Sequence, residues 1–122
     1  MKLVDTDIFI DFFQGVPEAV MFFHDNFDHI FFSAITEAEL LSGKVCDDPR
    51  EEEKVIHILA QFEKIPVDNP LVQVAGKIRR KYKVELPDAL IAASAFSYNL
   101  VLVTRNIDDF RKIQELEIKK PY

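Results

Sequence analysis

Short apolar runs without a polar helical face alternate along this chain with segments whose apolar residues recur at helical spacing, and that alternation limits the fold more than any other feature. "KLV" (2–4) reads as a short buried strand, and "LVLVT" (100–104) is the clearest strand in the chain. "HIFFSA" (29–34), aromatic and β-branched, reads as another, and a brief strand is expected at "PV" near Val67. Between these runs lie helical patterns. "DIFIDFFQG" (7–15) is ended by Gly15, "PEAVMFFHDNF" (17–27) starts on Pro17, and "TEAELLSG" (36–43) starts a helix ending at Gly43. "CDDPREEEKVIHILAQFEKI" (46–65) has a polar head, then Val55, Ile56, Leu59 and Phe62 at the spacing of one buried helix face. "PLVQVAGKIRRKYKV" (70–84) is amphipathic, "PDALIAASAFSYN" (87–99) is buried on most sides, and "DDFRKIQELEIKKPY" (108–122) adds a helical turn and a last short strand. The alternation predicts an α/β fold: a three-layer α/β/α sandwich with a central, mainly parallel sheet. With 122 residues and 48% hydrophobic content, one domain over 1–122 with a core of its own is expected.

In such a sheet, ligands bind beyond the carboxyl ends of the strands, where helices begin. Acids recur at these junctions. Asp5 follows "KLV", Glu39 lies in the first turn after "HIFFSAI", Asp88 opens the Ala-rich helix, and Asn106, Asp108 and Asp109 follow "LVLVT". Each also has a structural explanation. Thr36 and Glu39 fit a capping box, Asp88 suits the first turn of a helix, Asp7 can cap the first helix, and Asn106 or Asp108 the last. Capping accepts Ser, Thr or Asn equally well, yet acids recur, and Asp5 is expected to be a poor cap. Carboxylates converging on one sheet edge repel unless a cation sits between them. Hard oxygen ligands of this kind suit Mg²⁺ or Mn²⁺, which can activate water for an in-line phosphoryl displacement.

The formal net charge of −6 argues against a general nucleic-acid coat protein. A local basic cluster nevertheless precedes Asp88: Lys77, Arg79, Arg80, Lys81 and Lys83 within "KIRRKYK". It is either a solvated helix face or a phosphate-binding rim, to which Arg105 can add. Single-stranded or looped RNA is the substrate such a narrow site would bend. The single cysteine, Cys46, excludes an intrachain disulfide and suggests a reducing compartment. No secretory pattern or membrane-length apolar run is present, so a cytoplasmic protein is expected. His24, His29 and His57 share no spacing, and no nucleophile triad or Gly-rich phosphate loop is visible. The aromatic segment "IFIDFFQGVPEAVMFF" holds more apolar surface than two short helices need, which suggests a partner surface.

The ordered set "VDTDIFID", "TEAELLSG", "LPDALIAASA" and "LVTRNIDDF" resembles the PIN-domain ribonucleases, and more narrowly the VapC-type toxins of prokaryotic toxin–antitoxin pairs. The resemblance spans nearly the whole chain. It implies an endoribonuclease dependent on Mg²⁺ or Mn²⁺, with Asp5, Glu39 and Asp88 as the first three site acids and Thr6 and Thr104 orienting ligands or water. The fourth acidic position falls in "TRNIDDF", where Asp109 is favoured and Asn106 would be a neutral ligand or water holder. Asp5, Asp88 and Asp109 would hold the metal. Asp7 then becomes a cap or supporting partner, and Asp11 is expected on the helix surface. The resemblance further implies a homodimer and an antitoxin whose C-terminal segment occludes the cleft.

Three other readings compete. "DTDIF" loosely fits the start of haloacid-dehalogenase-type phosphatases, with Asp5 as nucleophile and Asp7 as acid, but a matching lysine motif is missing. A receiver-like signalling module has similar size but needs a phosphoacceptor Asp at a central strand end, whereas Asp47 and Asp48 sit in polar sequence. A PIN nuclease that processes RNA outside toxin–antitoxin systems differs only in genomic context.

Overall fold

A computed structural model describes residues 1–122. Five parallel strands form one sheet in the order β3-β2-β1-β4-β5: β1 (Lys2–Val4), β2 (Ile30–Ser33), β3 (Glu63–Ile65), β4 (Val101–Val103) and β5 (Ile118–Lys119). The helices are α1 (Thr6–Phe13), α2 (Pro17–Asn26), α3 (Ala34–Leu41), α4 (Pro49–Leu59), α5 (Asn69–Tyr82), α6 (Leu86–Tyr98) and the single turn α7 (Ile107–Phe110).

The strands are apolar at successive positions because both sheet faces are covered. Leu3 and Leu102 point into a core built with Leu71, Ala75 and Ile78 of α5, Ala89 and Ile91 of α6, and Phe110. Their neighbours Val4 and Val103 point the other way, onto Ile8 and Phe9 of α1, Phe22 and Phe23 of α2, Leu40 of α3, and Val55 and Leu59 of α4. The strict alternation along β1 and β4 thus separates two cores and produces the expected three layers. In the second core Phe23 packs its ring against Phe9, Phe12, Phe22 and Phe62, with centroids 4.8–5.7 Å apart. Most of the Phe-rich segment is therefore consumed inside the molecule.

Local chemistry sets the boundaries. Asp48 and Asp68 accept the backbone N–H groups of Arg50 and Leu71, opening α4 and α5 with Pro49 and Pro70 in their first turns. Two helices close on left-handed residues, α5 on Lys83 (φ 57°) and α6 on Asn99 (φ 55°). The expected strand near Val67 lies upstream instead, at Glu63–Ile65. Helix α4 stops at Leu59, Ile65 is the buried residue paired with Ser33, and Val67 is exposed. Phe62 is consequently in the turn after α4, and Ile56, expected on that helix's buried face, is exposed. No helix is long and apolar enough to cross a membrane.

Candidate active site

The chain leaves β1 toward β2 and β3 on one side and returns through β4 to β5 on the other, so the topology switches direction between β1 and β4. Val4 and Val103 are register partners there, which sets the next residues, Asp5 and Thr104, side by side at the crevice. Both are buried, and the Thr104 hydroxyl donates to Asp5 Oδ2 at 2.9 Å. The other oxygen, Asp5 Oδ1, accepts the Thr6 N–H at 2.8 Å. Asp5 thus caps α1, contrary to the expectation that it caps poorly and Asp7 does the capping.

Glu39 enters from the second turn of α3. The Thr6 hydroxyl donates to Glu39 Oε1 at 2.7 Å and lies 3.0 Å from the Thr36 hydroxyl. The expected capping box does not form, because α3 begins earlier: Ser33 accepts the Ile35 N–H at 3.1 Å and is the cap. Glu39 is left for the crevice. Asp88 enters from the first turn of α6, where no side chain caps the helix. Asp88 shares a depression with Lys83, Glu85, Asp108, Asp109 and Lys112.

The electrostatics link these acids. Burial pushes the Asp5 carboxyl up to about 7, with Asp7 and, more weakly, Asp88 adding to the rise. Burial also pushes Asp88 up to about 6, followed by the charges of Asp109, Glu39 and Glu85. Asp88 is thus the link among these acids, close enough to feel Asp109 and Glu39 and to be felt by Asp5. Asn106 is exposed, and its N–H donates to the Thr104 hydroxyl at 3.0 Å. No three acidic, His or Cys side chains stand arranged as they are to enclose a metal ion.

Other assignments change. Asp11, expected on the surface, is buried, and Arg105 pairs with it at 2.7 Å. Asp7 Oδ2 accepts the Arg105 N–H at 2.9 Å, while Asp7 Oδ1 is buried without a partner. The expected rim separates into two parts: Lys83 borders Asp88, while Lys77, Arg79, Arg80 and Lys81 line the exposed side of α5. Lys112 was not singled out from sequence, because nothing local marks it; it reaches the same depression from the turn after α7. On the other side of Glu39, Ile10, Phe13, Leu40, Val45 and Val55 line an apolar groove of about 250 Å³ between α1, α3 and α4.

Residues 2–116 match the PIN domain. Ribonuclease VapC10 of Mycobacterium tuberculosis is 32% identical over 126 residues, spanning 96% of this chain and 91% of that one. Ribonuclease VapC of Rickettsia bellii is 29% identical over 128 residues, spanning 95% and 92%. Among solved structures, a toxin–antitoxin complex from Klebsiella pneumoniae superposes with a TM-score of 0.87 at 31% identity, covering 100% of this chain and 98% of that one. DNA-bound VapBC from Salmonella typhimurium gives 0.88 at 25% identity, covering 99% and 98%. These matches displace the phosphatase and receiver alternatives.

Proposed function

Since the chain belongs to the PIN-domain family, in its VapC ribonuclease branch, we propose that it is an RNA-cleaving hydrolase and the toxin of a toxin–antitoxin pair. The observation that carries this reading is Asp5, buried beside Thr104 at the β1/β4 switch point, with Asp88 of the α6 first turn close enough to help raise its carboxyl. Carboxylates so placed fit a hard cation. Their donors are oxygens, the type a hard cation takes, and the nearby guanidiniums of Arg105 and Arg111 pair with Asp11 and Asp108 instead.

Asp5, Asp88 and Asp109 would hold Mg²⁺ or Mn²⁺. When bound, such an ion supplies an activated water and a counter-charge for the phosphodiester. The chain's own residues do the rest. The Thr104 hydroxyl fixes the rotamer of Asp5, and the Thr6 hydroxyl holds Glu39 at the crevice mouth. Glu39 carries an oxygen free to accept a proton from an attacking water, and Asn106 offers a neutral polar group at the rim. Lys83 borders the acids and would attract the backbone phosphates, with Lys77, Arg79, Arg80 and Lys81 extending positive potential along α5. Unpaired RNA fits because its backbone can bend into the depression.

The partner is an antitoxin whose apolar segment lies in the groove beside Glu39, where Ile10 and Val45 are exposed. The toxin itself acts as a homodimer. Incubation of purified protein with single-stranded RNA and Mn²⁺, with a chelator arm and a phosphate monoester as control, tests the activity. Metal-dependent RNA cleavage with the monoester intact is expected. Chelator-insensitive cleavage, or monoester hydrolysis, would overturn the reading.

A further inference from the structure

The loop from β4 to α7 carries Thr104 and delivers Asp109, yet α7 is one turn long and cannot fix its own direction. Something else must hold it. The Arg105 side chain makes a two-bond fork with Asp11: Nε to Oδ2 at 2.7 Å and Nη2 to Oδ1 at 3.1 Å. Such a fork fixes both the position and the plane of a guanidinium. Tyr122 Oη donates to the same Asp11 Oδ2 at 2.7 Å. Asp11 is 8% exposed, so the pairing is only weakly screened.

The backbone of the same loop is gripped as well. Arg105 N–H donates to Asp7 Oδ2 at 2.9 Å, and Asn106 N–H to the Thr104 hydroxyl at 3.0 Å. Asp7 and Asp11 stand one helical turn apart on α1, so one helix face holds both the amide and the guanidinium of a single loop residue. That helix is the one whose first residue follows Asp5.

We propose that Arg105, locked by Asp11 and Tyr122, is a positioning residue that sets the loop bearing Thr104 and Asp109 against Asp5 and Asp88, and is not a contact for the RNA backbone. This rests on the nuclease reading above. Asp11 neutralises the guanidinium charge and occupies two of its donors, so Arg105 adds little to the potential that draws phosphate.

The test uses the full chain and the variants Asp11→Asn, Tyr122→Phe, Arg105→Lys and Arg105→Ala, with Asp5→Asn as control. In metal-free protein, hydrogen exchange at the Arg105 and Asn106 amides should quicken by about tenfold or more in Asp11→Asn and Tyr122→Phe, with α6 amides unchanged. With RNA and Mn²⁺, Arg105→Ala and Asp11→Asn should each lower kcat by about 10- to 100-fold, as a sub-ångström misplacement does, with KM within about threefold. The double variant Asp11→Asn/Arg105→Ala should be no slower than the slower single variant, because both act through one contact. Arg105→Lys, which keeps charge without the fork, should recover only part of the rate. Unchanged exchange and kcat would overturn the proposal. So would a raised KM in Arg105→Ala alone, with Asp11→Asn like wild type, since that marks a phosphate contact. If Asp5→Asn cleaves at the wild-type rate, the nuclease reading fails separately, and the exchange data alone then decide the clamp.

Discussion

Replacing Asp5 by Asn should make the metal-free protein more stable at pH 8 and no more stable at pH 4. Asp5 is 7% exposed, and burial, then Asp7, lift its carboxyl from 3.8 to about 7 against the bonds from Thr104 and Thr6. A group raised in the folded state contributes fully below its unfolded pKa, and that contribution is lost as pH climbs through the folded value. Ionised Asp5 therefore weighs on the wild type at pH 8, with a ceiling of roughly 4 kcal/mol set by the size of the rise. Asn removes the charge but keeps only one acceptor where Asp5 uses two, a loss of about 1 kcal/mol. The net gain is roughly 2–3 kcal/mol, or a melting temperature higher by roughly 10 °C for a chain of this size. At pH 4 the wild-type penalty has nearly vanished, leaving the variant level or slightly weaker. Melts of both proteins from pH 4 to pH 8, with and without MgCl₂, measure this. Mg²⁺ should raise the wild-type midpoint at pH 8 and leave the variant unmoved. Parallel curves across the pH range, or a variant that melts lower at pH 8, would refute the account of Asp5 as a desolvated, uncompensated charge.

Lys83→Gly should stabilise the protein by about 0.5–1 kcal/mol in chemical denaturation, since Lys83 has φ 57°, and should also lower the salt slope of RNA binding by about one. Replacing Arg79 and Arg80 by Ala should weaken RNA binding and flatten its salt dependence; unchanged affinity and slope would return them to a solvated helix face. Thr104→Val keeps shape but removes the donor to Asp5 and the acceptor for Asn106 N–H, so denaturation should show a loss of about 1–3 kcal/mol and RNA cleavage should fall. Phe23→Ala should cost about 3–5 kcal/mol by the same denaturation assay, because four rings pack on it.

The layers were legible because "KLV" and "LVLVT" are too short and too apolar to be anything but strands buried on both faces, and the helical segments between them carry their own caps and stops. Asp5 and Asp88 could be singled out because an acid directly after a strand, or in the first turn of a helix, is a local pattern. What escaped was set by distance along the chain. Asp11 looks like a surface residue when only α1 is considered; its burial follows from Arg105 and Tyr122, 94 and 111 positions away. Arg105 looked like a free cation for the same reason. The short strand at Glu63–Ile65 was missed because two of its three residues are charged and exposed, and only pairing with β2 makes it a strand. The start of α3 is not legible locally because Thr36 and Glu39 mimic a capping box, while Ser33, the actual cap, is also the last residue of β2.

Asp88, on this account, serves a cation rather than its helix. Asp88→Asn removes one charge and nearly keeps shape. Calorimetric titration with Mn²⁺ and RNA cleavage on the same preparation should show weakened metal binding and a rate lower by about 100-fold or more, in a metal-free protein at least as stable as wild type. A variant that binds Mn²⁺ and cleaves RNA like the wild type, while losing up to about 1 kcal/mol of stability, would identify Asp88 as a helix-terminus acid and contradict the metal site.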